Sequence, residues 1–396
     1  MVMPGDHLVM TGAAAQSHWN PIVPTINMEN LNLLHCYAMT VDKVICFGEP
    51  LALVVAASAH QAEDAARAVV VKYEDLPVDV DAEQAAAVSA DGVALIYPAW
   101  KTNLQSEPRF SHGDVDGAFA SADLVIDELI NSHRFGAMPM ETRVVLARVD
   151  RDDESLVLRR STQIPHQTRM YLSEVFGIAE TRIQVLADDA GGGFGAKLSV
   201  DSEYLPALAS TLLGRAVLWF ESRSEWMHAD PAERGAGLGM PLNGSNHAPG
   251  PCRVSNYRSH VRCVVTNKGP YSAYRGYGQD LANMLIERVL DQATDRLEID
   301  PVEIRKRNLP THYPHQIVTG PVIEQGSIRE ALAKLVEVMD MPKLRAEQAD
   351  ALSQVAISAS RWRPISNRPA LRFLAALFRT TNRSRCAYSP MAACAS

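Results

Sequence analysis

The stretch VLADDAGGGFGAKLS, Val185–Ser199, places four glycines within positions 191–195, interrupted by Phe194 and followed by Lys197. The run RIQVLAD reads as a strand leading in, and the pattern from Val200 to Leu213 reads as a helix leading out. A turn of this composition lets a backbone approach something closely. A Walker A loop requires G-x-x-x-x-G-K-[ST]. Counting back from Lys197, Ala196 stands where the second glycine belongs and Leu198 where the hydroxyl belongs, so that reading fails. Gly191, Gly193 and Ala196 do satisfy the dinucleotide fingerprint G-x-G-x-x-A, and Glu221 ends the next strand, where a ribose-binding carboxylate belongs. Against it, Asp188 and Asp189 would put negative charge beside a pyrophosphate. A turn that serves only packing is the third reading.

Two further strand-to-helix junctions flank this one. STQIPHQTR, Ser161–Arg169, sets Gln163 between a strand and a helix that starts at Pro165 and stops at Gly177. GPYSAYRGYGQD, Gly269–Asp280, presents Arg275 in a glycine-bracketed loop before the strongest helix, DLANMLIERVLDQATDRL. A Gln amide both donates and accepts, and an Arg fork suits an anionic, oxygen-rich ligand. Taken singly, Gln163 could be a helix cap and Arg275 a member of an ion pair.

Elsewhere, KVICFGEPLALVVAAS reads as two strands around a Gly48–Pro50 turn and HQAEDAARAVVVKYE as a helix, giving a small α/β unit. The polar, Pro-containing stretch from Tyr97 reads as a linker. ADLVIDELIN, TRVVLARVD, SLVLRRST, AVLWFES and NYRSHVRCVVTN are strand-like. Arg234–Pro251 is rich in Gly, Pro and Asn and has no period. PVEIRKRNL opens a helix at Pro301, and IREALAKLVEVMDMPKLRAEQADAL reads as one amphipathic helix. From Ser353 onward there are seven arginines but no Lys, Asp or Glu. That change fits either a basic tail for an acidic partner or out-of-frame translation.

The 396 residues are 47% hydrophobic and 21% charged, which is ordinary for globular domains. A net charge of -8 argues against a nucleic-acid surface. The six cysteines form no C-x-x-C pair, so no zinc or iron–sulfur site is signalled, and their scatter fits reduced thiols in the cytoplasm. No secretory leader is visible. The longest early apolar run, Leu51–Ala59, is too short for a transmembrane segment.

The combination of STQIPHQTRMYLSEVFGIAETRIQVLADDAGGGFGAK with VVTNKGPYSAYRGYGQ strongly resembles the molybdopterin-binding large subunit of the xanthine dehydrogenase, aldehyde oxidase and carbon monoxide dehydrogenase family. ICFGEPLALVVAASAHQAEDAARAVVVKYEDLP resembles that family's α/β hammerhead domain, and MPMETR a motif early in its molybdenum domain. The resemblance runs from about Pro4 to Ala351.

It implies an α+β fold, with a hammerhead-like domain over 1–97, shortened at its N-terminus, and a linker over 98–122. A partial molybdopterin-binding domain follows over 123–352, and 353–396 lies outside the family pattern as a disordered or out-of-frame tail. The family carries a longer stretch where AGLGMPLNGSNHA stands, which implies an internal deletion near 235–250. The implied activity is oxidation of an aldehyde or N-heterocycle with water as oxygen source, impaired by truncation. The implied cofactor is molybdenum–molybdopterin in its cytosine dinucleotide form. FAD and a 2Fe–2S cluster would sit on a medium and a small partner subunit.

By the resemblance, Gln163, Gly192, Gly193, Phe194, Gly195, Arg275 and Gly276 bind the cofactor. Gln163, Phe194 and Arg275 lie near molybdenum without being strict ligands, and Tyr277 lines the substrate pocket. No catalytic residue is assigned, because the family's general-base glutamate belongs to a C-terminal region without a counterpart here, and Glu141 in PMETR is a poor substitute. Leu198 stands where purine hydroxylases carry a carboxylate, and AYRGYG lacks the copper-bridging cysteine of true carbon monoxide dehydrogenases. An inactive remnant without cofactor and a dinucleotide-binding oxidoreductase using Gly191–Ala196 are the alternatives.

Overall fold

The structure, a computed structural model, describes residues 8–11, 31–32, 39–87, 94–134, 136–150, 152–198, 204–228, 239–269 and 273–357. In chain order its elements are β1 (Leu8–Thr11), β2 (Ala52–Val55), α1 (Ala59–Arg67), α2 (Ala82–Ala86), β3 (Leu104–Ser106), β4 (Arg109–His112) and α3 (Val115–Ala120). Then come β5 (Val144–Val149), β6 (Leu156–Arg160), α4 (Pro165–Phe176), β7 (Ile183–Leu186), α5 (Tyr204–Leu213), β8 (Val217–Phe220), α6 (Arg223–His228) and α7 (Gly239–His247). The last are β9 (Tyr257–His260), β10 (Cys263–Val264), α8 (Gln279–Leu297), α9 (Pro301–Asn308), β11 (His315–Gln316), β12 (Val322–Ile323), α10 (Ile328–Val338) and α11 (Met341–Ile357). The expected helix start at Val200 and the tail beyond 357 lie outside the described residues. The fold is α+β.

The chain divides into two compact units. The first comprises residues 1–109, 133–245 and 259–278, and is organised on a four-stranded sheet of order β7-β6-β5-β8. Only β6 and β7 run parallel; β5 is antiparallel to both β6 and β8. Period-2 alternation puts Val145, Ala147, Leu156, Leu158, Ile183 and Val217 on one face, where they pack with Leu172 and Val175 of α4 and with α5. Residues Tyr204–Ser210 of α5 are buried all round, so this helix runs through the core. Pro165 opens α4, and Gly177 ends it in the left-handed conformation at φ 66°.

The second unit comprises 110–132, 246–258 and 279 onward. Asp300 caps α9 by accepting from the N–H groups of Val302 and Glu303. Buried Arg305 ties α9 to α8 through Glu287 (2.8 Å) and Asp291 (2.9 Å). Val302, Leu309 and Leu332 form a small cluster with α10.

Several sequence expectations change. KVICFGEPLALVVAAS forms one strand, β2, because the Glu49 carboxylate accepts from Thr40 Oγ1 (2.9 Å) and Ile45 N–H (3.2 Å) and rolls the first half into a turn. The stretch read as a linker is folded: within it β3 pairs with β10, and β4 and α3 follow. ADLVIDELIN forms no strand, and Val125 and Leu129 are exposed. The period-less segment up to Pro251 contains α7. The long amphipathic helix is two helices, α10 and α11, parted at Asp340, whose φ is 46°. Among the described residues, no helix is long and apolar enough to cross a membrane. Cys46, Cys252 and Cys263 are buried thiols, and burial pushes those of Cys252 and Cys263 up to about 11.

Candidate cofactor site

Because β6 and β7 are parallel, their carboxyl ends reach the same edge of the sheet. Ser161, Thr162 and Gln163 follow β6 directly. β7 leads through Asp188 into the glycine turn, which continues as turns to Leu198. The negative charge of Asp188 is taken up by Arg159 at 3.0 Å.

The turn is bound to the 161–163 segment at several points. Gly195 N–H donates to Gln163 Oε1 (2.9 Å), and Gln163 N–H donates to the Lys197 carbonyl (3.2 Å). The first bond fixes the Gln163 amide: its oxygen faces a group that only donates, so its NH2 is turned away as a donor. Gly195 has φ 103°, and a Cβ there would sit 2.5 Å from the Ala273 carbonyl oxygen, so only glycine fits. Arg275 N–H donates to the Phe194 carbonyl (2.9 Å), and its guanidinium lies 5.9 Å from the Phe194 ring centroid. Phe194 is 43% exposed and adopts φ 54°.

Gln163, Gly193, Phe194, Gly195 and Arg275 are thus brought together, with Gly192 beside them. Gly276 and Tyr277 continue the Arg275 loop. The Tyr277 hydroxyl occupies the space beside Gly239 of α7 that any side chain there would need, and Asn243 of α7 donates to the Tyr277 carbonyl (2.6 Å).

Among the described residues, the N–H groups of Gly192, Gly193 and Phe194 donate to no protein acceptor. With the Gln163 NH2 they form a set of donors on one turn, which fits an oxygen-rich or anionic group. No cluster of three or more His, Cys, Asp or Glu among the described residues is placed to hold a metal ion.

A second arrangement lies behind the turn. Glu141 Oε2 accepts from Ser161 Oγ (2.7 Å), Gly191 N–H (2.7 Å) and Lys197 Nζ (2.9 Å), and Lys197 Nζ also donates to Ser161 Oγ (2.7 Å). Lys197 is fully buried. Burial pushes the Glu141 carboxyl up, but Ser161, Lys197 and the Gly191 N–H together outweigh it and bring it down to about 2. A carboxylate so engaged is a poor general base. Glu141 and Lys197 each lie in a motif legible in the sequence, but nothing in a spacing of 56 residues announces the pair or its Ser161 partner.

Since the folded value lies below the ordinary 4.5, Glu141 contributes stability that is fully present above about pH 4.5 and is lost as pH falls through about 2. In urea melts at neutral and acid pH, Glu141→Gln should narrow the gap between the two conditions by lowering stability mainly at neutral pH. An equal loss at both would show that the ionised carboxylate is not the stabilising form.

Glu221 is not a ribose-binding residue. It is 1% exposed and paired with Arg143, whose Nε donates to it at 2.9 Å, while the Thr142 hydroxyl donates to its carbonyl at 2.6 Å. The mixed sheet likewise differs from a doubly wound parallel sheet and does not favour the dinucleotide-binding alternative.

Residues 96–238 and 231–309 match the family model of the molybdopterin cofactor-binding domain, and residues 2–77 match that of the aldehyde oxidase and xanthine dehydrogenase a/b hammerhead domain. The chain belongs to the molybdopterin-binding large subunits of the xanthine dehydrogenase, aldehyde oxidase and carbon monoxide dehydrogenase family. It is 32% identical over 389 residues to the nicotine 6-hydroxylase large subunit of Paenarthrobacter nicotinovorans, covering 88% of this chain and 47% of that one. It is 29% identical to the carbon monoxide dehydrogenase large chain of Hydrogenophaga pseudoflava, covering 88% and 49%. The solved quinoline 2-oxidoreductase of Pseudomonas putida 86 superposes with a TM-score of 0.81 at 28% identity, covering 89% of this chain and 49% of that one. The chain spans about half the length of these relatives.

Proposed function

We propose that this chain supplies the cofactor-facing turn of a molybdenum hydroxylase that oxidises an N-heterocycle or an aldehyde. The observation that carries the reading is the Gln163–Gly195 hydrogen bond, which turns the Gln163 NH2 outward beside the open N–H groups of Gly192, Gly193 and Phe194. When bound, the molybdenum cofactor supplies the two-electron oxidation, with water as oxygen source. The chain's part is to donate hydrogen bonds from Gln163 and the turn, to hold Phe194 beside them through Arg275, and to place Tyr277 on the same loop at the substrate side. The nicotine and quinoline relatives support the N-heterocycle arm.

The cytosine dinucleotide form of the cofactor, an iron–sulfur small subunit and an FAD-carrying medium subunit belong to the same reading. Relatives that are themselves subunits of complexes support it. A cytoplasmic location belongs to the same reading. The match of the cofactor-domain model in two segments meeting at 231–238 supports a shortened stretch there. No observation favours an inactive remnant.

The test is expression of the full chain with an intact cofactor supply, followed by molybdenum and pterin analysis. Near one molybdenum per chain is expected; turnover of N-heterocycles should be impaired even with partner subunits present, because Glu141 is a poor general base, and whatever product forms should carry label from isotopic water. Gln163→Ala should lower turnover by about 10²–10³-fold, as for loss of one preorganised donor. Protein free of molybdenum and pterin would overturn the reading.

A further inference from the structure

We propose that Lys197 is a positioning residue: its buried ammonium, held by Glu141 and Ser161, latches both ends of the glycine turn to the end of β6 and so sets where the turn's donors point. The proposal rests on the cofactor-site reading for what the donors face, and on geometry alone for the latch.

One carboxylate oxygen, Glu141 Oε2, receives Gly191 N–H at the start of the turn and Lys197 Nζ at its end. The same ammonium donates to Ser161 Oγ. From the other side, the Lys197 carbonyl accepts from Gln163 N–H (3.2 Å) and Thr162 Oγ1 (3.3 Å). Glu141 N–H in turn donates to the Gly191 carbonyl (3.2 Å). Residue 197 is thus joined to 161, 162 and 163 by three separate bonds, and through Glu141 to Gly191. The residues between carry glycine at 191–193 and 195, and their own backbone bonds, Ala196 N–H to the Gly193 carbonyl (2.9 Å) and Leu198 N–H to the Gly195 carbonyl (3.2 Å), shape only the second half of the turn. Lys197 is wholly buried while the Glu141 side chain is 34% exposed; an ion pair with a buried cation is a weak source of net stability but a strong constraint on geometry, because leaving that cation unpaired is costly. That combination suits a latch better than a packing contact would.

The test compares the full chain with Lys197→Met and with the double variant Lys197→Met/Glu141→Gln, which leaves no buried charge. The readouts are thermal stability, amide hydrogen exchange and molybdenum per chain. In Lys197→Met, the Gly191 and Gly195 amides should exchange at least about tenfold faster while those of β5 and β6 keep their protection. In the double variant, thermal stability should return toward the starting value, yet the turn amides should stay fast and molybdenum content low. Should Lys197→Met fail to fold, the double variant carries the comparison alone. Turn amides that exchange at the unmodified rate in a folded variant would overturn the latch. An unmodified chain with slow turn amides but no molybdenum would leave the latch standing and overturn the cofactor reading instead.

Discussion

Glu221→Ala should destabilise the sheet-bearing unit by about 3–5 kcal/mol, the usual cost of leaving one member of a buried ion pair unpaired. Arg143 and Glu221 are each 1% exposed, and they join the start of β5 to the end of β8. Arg143 donates through Nε, and its backbone N–H adds a contact to the same carboxylate at 3.2 Å. Its guanidinium lies 5.2 Å from the Trp226 ring and 5.8 Å from the Trp219 ring, so removal of the carboxylate strands a cation between two indoles. Urea unfolding followed by tryptophan fluorescence reports on this place directly. The double variant Arg143→Met/Glu221→Met should recover most of the loss. A single-variant loss under about 1 kcal/mol would mean that water reaches the stranded Arg143.

Gly195→Ala should disable the site more than it destabilises the fold. The backbone share, an L-residue held in a conformation suited to glycine, costs about 1–3 kcal/mol. The larger consequence is local: the new methyl would press on the Ala273 carbonyl, a rigid backbone atom, and push the Arg275 loop away from Phe194. Gly177→Ala provides the control. It also has positive φ, at 66°, but nothing lies within 4 Å of the added Cβ, so it isolates the backbone share. Expected are a larger thermal shift for Gly195→Ala than for Gly177→Ala, the difference being the clash with Ala273, and a drop in bound molybdenum for Gly195→Ala alone. Equal molybdenum content in both would show that the Arg275 loop is not coupled to the turn.

Much of this was legible in the sequence where the signal is local. The strands β5 to β8 carry alternating or continuous apolar residues, and Pro165 and Gly177 bracket α4 as their fixed and permissive backbones dictate. The glycine turn, Gln163 and Arg275 stood out because each sits at a strand-to-helix junction. What could not be read depends on distant partners. ADLVIDELIN has strand composition, but apolar composition makes a strand only where another strand offers a ladder. Conversely, α7 forms through Gly, Pro and Asn because tertiary contact overrides propensity: Gly244 lets the helix approach Gly278, and Asn243 holds the Tyr277 carbonyl. The break between α10 and α11 had a local mark in Pro342, which fits the first turn of a new helix better than the interior of an old one. The Glu141–Lys197 and Arg143–Glu221 pairs join residues far apart in the chain, and charge at a single position does not name its partner.

The parallel register of β6 and β7 pairs Leu156 with Ile183 and Leu158 with Val185. A slip of one residue would turn Ile183 out of the core and shift the start of the turn by about 3.3 Å relative to Gln163. The Gly195–Gln163 bond and the Glu141 contacts would then miss their partners together. The same alignment that buries the apolar side chains therefore proofreads the site: a chain that has paired these strands wrongly is both poorly packed and unable to assemble the turn.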